Sequence, residues 1–360
     1  MDKETSVFLY LATFIFSSII IEIGVRKRKS DFYTFLGILF PSLLATFRSP
    51  IVGTDTQMYQ HMFEGYLSIP SLVERFKYLG FKEFLNTLIA QIGVLLDNFN
   101  IYLFIFSFST LILVVKAIYK YVYKDSVSIA YFAYLCLFFP QSLNIMRQSL
   151  AIAIVFWSFQ YILEKKPKKY FISIIVATGV HISAFIAIPL YFLLNKERKF
   201  NYWVTIVISG LIMISTFSIG PIFKLIATIP GYERYSFYAS YVGEINNRII
   251  IVNVFIFVMF FLVRKYFNGN KSVNSLSLLL LFIGVLLGVT GFISPYIKRL
   301  GVYFDIVQIL LISQMHNMFL DKYQHLLVKY VTCILCMAYF ILYYYYLGFS
   351  DIVPYNFYIY

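Results

Sequence analysis

The stretch TFRSPIVGTDTQMYQHMFEGY, residues 46–66, follows an apolar segment, 32–47, and ends it with Arg48, Ser49 and Pro50. Gly53, Thr54 and Asp55 follow. An ionisable group at bilayer depth is expensive, so a cation, a turn and a carboxylate at the mouth of a membrane-grade segment mark a functional site by default. The bland reading of Arg48 is an anchor that snorkels to lipid headgroups. Gly53, Asp55 and partners elsewhere in the chain favour the functional reading.

The chain of 360 residues is 60% hydrophobic and only 13% charged, a balance that no soluble fold of this length needs. Repeated apolar runs of about 17–23 residues, separated by Lys/Arg clusters, predict an all-α, polytopic integral membrane protein. The net charge of +13 would suit nucleic acid. Here the cations sit largely in short loops between apolar runs, where they set topology and meet lipid. With no basic, aromatic-interleaved soluble domain, no nucleic-acid partner is expected. The polar start, 1–6, and the cluster 26–29 behind the first run predict a retained first span with its N-terminus outside. Cys136, Cys333 and Cys336 read as small apolar packing residues.

About ten transmembrane helices are expected in a single integral membrane domain, 1–360. They fall near 7–24, 32–47, 101–118, 128–140, 147–163, 202–219, 249–263, 276–292, 302–319 and 327–348. Segment 48–100 is read as extracellular and interfacial. Within it, Glu83, Asn86, Thr87 and Gln91 share one face of an apolar helix, which suits a helix lying in the outer interface. Segment 170–194 is flanked by Lys/Arg clusters on both sides, so both ends prefer the cytoplasm. It is read as a re-entrant hairpin with its tip at 179–183, a single span being the alternative. A long polar-aromatic loop, 220–248, is expected outside. Gly284 and Gly288 form a small-residue pair suited to close helix contact. The Tyr-rich tail, 349–360, is expected outside, at the interface.

This topology gathers the remaining charges on one face. Arg48, Asp55, Arg147, Arg299 and the 220–248 loop fall outside, and His181 sits at the hairpin tip pointing the same way. Arg48, Arg147 and Arg299 run against the positive-inside bias. Arg147 with Gln148 opens a helix, where backbone donors favour an anion and an Arg adds bidentate phosphate recognition. An interfacial anchor is the alternative for Arg147, and a structural hydrogen-bond donor for His181. Asp305 is read mainly as a structural pairing residue. His61 is a weaker candidate, and His316 and His325 near the cytoplasmic side are read as bland. Cations around an outward cavity imply an anionic ligand at the membrane surface, such as a lipid diphosphate. Asp55 would accept a proton from a sugar hydroxyl or orient it. No DxD motif, carboxylate cluster or His pair with metal spacing is present, so metal-independent chemistry with no metal and no cofactor is expected.

Arg48…Val52-Gly53-Thr54-Asp55…Tyr59 resembles the R-x(3,4)-G-T-D-x(3)-Y signature of the EpsG family, which is similar to Wzy-type polysaccharide polymerases. Arg147-Gln148-x-x-Ala151, His181-x-Ser183-Ala184 and Arg299-x(3)-Tyr303 resemble its later elements, in order. The resemblance implies a GT-C-like bacterial cell-membrane glycosyltransferase with its active site facing outside. Such enzymes join undecaprenyl-diphosphate-linked oligosaccharide repeat units into a capsule, exopolysaccharide or O-antigen. Implied partners are the lipid-linked unit, the bilayer, and a chain-length regulator and flippase of the same pathway. Arg147 and Arg299 would hold the diphosphate, Arg48 phosphate or glycan, Asp55 would activate the acceptor and His181 would position a sugar or phosphate. Gly53, Thr54, Tyr59, Gln148, Arg234, Lys298 and Tyr303 would complete the substrate site. Two other classes compete. A flippase or transporter for lipid-linked sugar would need access from both faces. A membrane acyltransferase with His181 as base would need a cytoplasmic donor site.

Overall fold

The computed structural model describes residues 1–27, 30–79, 83–194, 247–267, 270–290 and 295–359, with positions 210, 221, 224–229, 233 and 236 between them. The chain divides into two compact units: Met1–Ile188 with Ile312–Tyr360, and Pro189–Leu311. The expected span at 202–219, apart from position 210, and most of the 220–248 loop lie outside the described residues.

The first unit is helical because its apolar runs must satisfy their backbone groups internally in a bilayer. It begins with α1 (Lys3–Lys27) and α2 (Ser30–Thr46), then three shorter helices: α3 (Thr56–Ser68), α4 (Leu72–Leu79) and α5 (Phe84–Leu95). Next come α6 (Phe99–Tyr121), α7 (Val127–Leu137), α8 (Phe139–Asn144), α9 (Met146–Leu163) and α10 (Pro167–Val180). The second unit holds α11 (Leu190–Leu194), α12 (Asn247–Val263), α13 (Lys271–Thr290) and α14 (Pro295–Asp305). Then come α15 (Gln308–Ser313) and α16 (Lys322–Phe340), which runs on into a wider turn to Tyr346. Among the described residues, four segments are long and apolar enough to cross a membrane: Lys3–Lys27, Phe99–Tyr121, Lys271–Val289 and Lys322–Tyr346. At 1.5 Å per residue, 25 residues reach about 37 Å, more than a hydrocarbon core needs. α1 and α16 carry exposed rows of large apolar side chains, among them Phe8, Ile19, Leu327 and Ile334. Such faces suit lipid.

Within the first unit, α16 packs on α7, α7 on α1, α1 on α2, α2 on α6, α6 on α9 and α9 on α10. Small residues permit the tightest approach. A Cβ at Gly24 would meet Tyr33, and one at Gly37 would meet Ile21 and the Ser17 carbonyl. α7 differs from the expected span 128–140. It has 11 residues, and nearly every one is buried, so it is a core helix that gives way to α8 at Phe138. The expected span 302–319 is also interrupted. α14 ends at Asp305, and tight bonds from Val307 N to Phe304 O and from Ile309 N to Ile306 O precede α15.

In the second unit, α13 and α14 cross closely at Gly284 and Gly301, where a Gly301 Cβ would lie 3.1 Å from the Gly284 carbonyl. The small-residue contact therefore includes Gly284, with Gly301 opposite it. Asp305 accepts from Asn253 Nδ2 at 3.1 Å, a structural pairing.

The tail packs against the first unit. Tyr355 is fully buried, with Tyr10 and Phe357 ring-to-ring, and donates to the Leu44 carbonyl at 2.9 Å. Backbone bonds run from Ser49 N to Asn356 O and from Tyr358 N to Phe47 O, both 2.8 Å. Arg48 pairs with Phe357 as an isolated bridge. An aromatic ring with its hydroxyl satisfied can be buried whole, so the tail closes over the 46–56 loop. Its large apolar side chains at Phe357, Tyr358 and Ile359 remain exposed. Tyr355→Ala is expected to lower the stability of the detergent-purified protein by about 3–5 kcal/mol, as large-to-small core changes do. Tyr355→Phe should lose about 1 kcal/mol, the value of one hydrogen bond. Thermal unfolding checks both.

Candidate active site

Three elements of the first unit converge on Glu83, just ahead of α5. Its Oε2 accepts from Arg147 Nη1 at 2.8 Å, and its Oε1 lies 2.6 Å from His181 Nδ1. The Ile182 backbone N–H also donates to Oε1, at 3.3 Å. Arg147 sits in the first turn of α9 and His181 caps α10 in extended conformation. The Arg147 guanidinium lies over the Tyr59 ring, 5.6 Å from its centroid. The three side chains are 19–24% exposed, shielded yet reachable.

Local sequence explains each position. The helix of α10 stops at Val180, a 3₁₀ turn follows at Ile182–Ala187, and Tyr170 Oη donates to the Ala187 carbonyl at 2.6 Å. Seventeen residues of straight helix would hold those groups about 25 Å apart, so the chain reverses at His181, the expected tip. Gly179 makes the approach possible, because a Cβ there would strike Phe84 and Leu85 of α5. That close packing sets His181 against Glu83.

α5 keeps the expected polar residues on one face. Its polar stripe turns inward: Asn86 Oδ1 accepts from Tyr102 at 3.1 Å, Gln91 accepts from Arg75, and Thr87 is buried. Phe84, Leu88, Ile92 and Leu95 are exposed instead. At 12 residues it is about 18 Å long, too short to cross a bilayer. Glu83 was visible only as one member of that stripe, and its role as the joint of the site was missed.

Arg48 has a different place from the one expected at the lipid boundary. It is 1% exposed and donates to Thr56 Oγ1 at 3.1 Å, to the Leu143 carbonyl at 3.0 Å and to the Ala45 carbonyl. Those bonds satisfy a carbonyl in the last turn of α2 and one in α8 and tie both to the head of α3, giving Arg48 a scaffold role. Gly53 is also structural: its φ is +92°, its N–H donates to the Asp351 carbonyl at 2.8 Å, and a Cβ would collide with the Asn144 side-chain oxygen. Gly53→Ala is expected to lose about 1–3 kcal/mol through strain at that φ, read as a lower unfolding temperature and less polymer.

Asp55 precedes α3, accepts from Thr54 Oγ1 at 2.8 Å, and lies one turn ahead of Tyr59, whose N–H bonds its carbonyl. Tyr59 is buried under Arg147, so the 53–59 motif and Arg147 share one site. An open groove of about 530 Å³ runs along α3 past Thr54, Gln57, Met58, His61 and Gly65. Gln148 is buried beside Arg147 in sequence. Arg299, exposed, and Tyr303, buried, belong to the second unit. Arg234 and the Lys298 side chain lie outside what is described.

Electrostatically, burial alone would raise the Glu83 pKa. The hydrogen bond to His181 and the Arg147 charge outweigh it and hold the carboxyl below the usual glutamate range. An ionised carboxylate only accepts, so His181 Nδ1 is the donor and Nε2 is left to exchange a proton. Arg147 Nε is buried with no hydrogen-bond partner among the described residues, and a guanidinium takes anionic oxygens best. At the far end of α6 the fold brings Asp125, His316 and His325 together, although the sequence offers no His pair at metal spacing.

The long apolar helices define an all-α, multi-pass membrane protein, and its first unit holds a shielded Arg147–Glu83–His181 cluster. Residues 31–357 match the EpsG family. The chain belongs to that family of Wzy-like polysaccharide polymerases, and its function is of the polysaccharide polymerase, glycosyltransferase-like type. No curated protein and no solved structure matches it.

Proposed function

We propose that this protein polymerises undecaprenyl-diphosphate-linked oligosaccharide repeat units on the outer face of the bacterial cell membrane. The observation that carries the reading is the single carboxylate, Glu83, joining an arginine to a histidine. The acceptor sugar hydroxyl attacks the anomeric carbon of the growing chain. A new glycosidic C–O bond forms as the C–O bond to the carrier diphosphate breaks. The hydroxyl proton passes to His181 Nε2, and Arg147 stabilises the charge that develops on the departing diphosphate. This moves the proton-accepting role from Asp55 to His181, because Glu83 orients the imidazole as a carboxylate orients a catalytic histidine. Asp55 and Thr54, at the head of the α3 groove, orient a sugar hydroxyl. The α10 hairpin enters from the cytoplasmic side and carries His181 to the outer leaflet. A flippase delivers the unit and a chain-length regulator acts with the polymerase.

Reconstitution of the purified protein with lipid-linked repeat unit tests the reading. Ladders of polymer with release of carrier diphosphate are expected. Movement of the unit between leaflets without chemistry would establish a transporter, and acyl transfer to the glycan an acyltransferase; either overturns the proposal.

A further inference from the structure

The second cluster lies where α6 ends, roughly 28 Å along that helix from Tyr102, and no step of the transfer uses it. Asp125 stands in the turn after α6, His316 in the 3₁₀ turn Met315–Met318, and His325 in the first turn of α16. Their ligand atoms all lie within 4.8 Å of one another. Asp125 Oδ2 is 3.3 Å from His316 Nε2 and 3.7 Å from His325 Nε2. The two imidazoles stand perpendicular, 4.5 Å apart at their centroids.

Those separations suit a tetrahedral ion. Ligand bonds of about 2.0–2.1 Å place ligand atoms about 3.3–3.4 Å apart along each tetrahedral edge, close to both measured distances. The donor set, two imidazole nitrogens and one carboxylate oxygen, is that of a borderline divalent transition cation rather than calcium or magnesium. His316 is 1% exposed while Asp125 is 45% exposed, so one side of the site is walled and the other open to a water ligand. Two groups compete with a cation. Lys329 Nζ lies 3.9 Å from Asp125 Oδ2 and donates to the Asp125 carbonyl, and Ser126 Oγ lies 3.4 Å from His316 Nε2. Lys329 thus neutralises the carboxylate without metal, and its long flexible stem lets it withdraw.

We propose that Asp125, His316 and His325 form a structural site for a divalent transition cation, with Zn²⁺ as its probe. The ion would tie the α6–α7 turn to the start of α16, elements 191 or more residues apart, and so fix the C-terminal helix to the first unit. It would carry no step of glycosyl transfer.

The test uses the full-length protein in detergent, stripped with chelator and titrated with Zn²⁺ by calorimetry, with thermal unfolding in parallel. One equivalent per chain is expected, with a rise in unfolding temperature. His325→Ala and Asp125→Asn, both at partly exposed positions, should weaken binding by about 100-fold or more. Lys329→Met, removing a competing charge, should tighten it. The proposal is overturned if the wild type takes up no Zn²⁺, or if both ligand variants bind as the wild type does. It is also overturned if Lys329→Met destabilises the protein without tightening Zn²⁺, since the cluster would then be an ion-pair clamp.

Discussion

Replacing Arg147 by alanine is expected to abolish polymer, a loss of at least about 10²–10³-fold, because it removes the donor aimed at charge that develops on the leaving diphosphate. The substitution also strips Glu83 of one partner at 2.8 Å. Breaking a buried pair destabilises by about 3–5 kcal/mol, the upper end applying to full burial. Two further variants separate chemistry from folding. Arg147→Lys keeps the charge but loses the planar fork and its stacking on Tyr59, and should still fail. The double variant Arg147→Gln with Glu83→Gln removes both charges and should fold near wild type while remaining inactive. Polymer length on gels and protein level in membranes read these outcomes. Wild-type polymer from Arg147→Ala would remove the assignment.

Glu83→Gln carries the second large effect. The side chain keeps its shape but no longer fixes Nδ1 of His181 as the donor, so turnover should fall roughly 10²-fold, with apparent affinity for lipid-linked substrate changed little. The same variant tests the electrostatics. Glu83 is held below the usual glutamate range in the folded protein, by His181 and Arg147 against the opposing effect of burial. Its contribution to stability is therefore complete above the usual glutamate range and disappears as pH falls through the lowered folded value. Between about pH 5 and pH 3 the wild type should lose more unfolding temperature than Glu83→Gln. Parallel curves would mean that Glu83 is not coupled to its two neighbours.

The long spans were legible because length and apolarity are local. Expected spans at 7–24 and 101–118 lie within Lys3–Lys27 and Phe99–Tyr121, and 327–348 overlaps Lys322–Tyr346 in all but its last two residues. A reversal within 170–194 was legible from its two basic flanks, and the chain does turn at His181. What the sequence concealed has a common physical cause. An amphipathic pattern states that two faces differ but not which one meets protein, so the inward turn of the Glu83, Asn86, Thr87 and Gln91 stripe could not be read from it. The partners of Arg48 include two backbone carbonyls, which leave no mark on residue identity. Tyr355 is buried in a tail with no periodicity to announce it. Asp125 meets His316 and His325 only through the packing of α16 on α7. No spacing rule could have joined them.

The central claim is that the Glu83-centred site faces outside. Leu96, in the turn between α5 and α6, is 59% exposed and follows the helix that Glu83 precedes. Leu96→Cys in a background with Cys333→Ala gives one accessible thiol, since Cys136 and Cys336 are buried. In intact cells, a membrane-impermeant maleimide is predicted to label Leu96→Cys without permeabilisation. Labelling only after the membrane is opened would place the α5–α6 turn in the cytoplasm and contradict the outward-facing site.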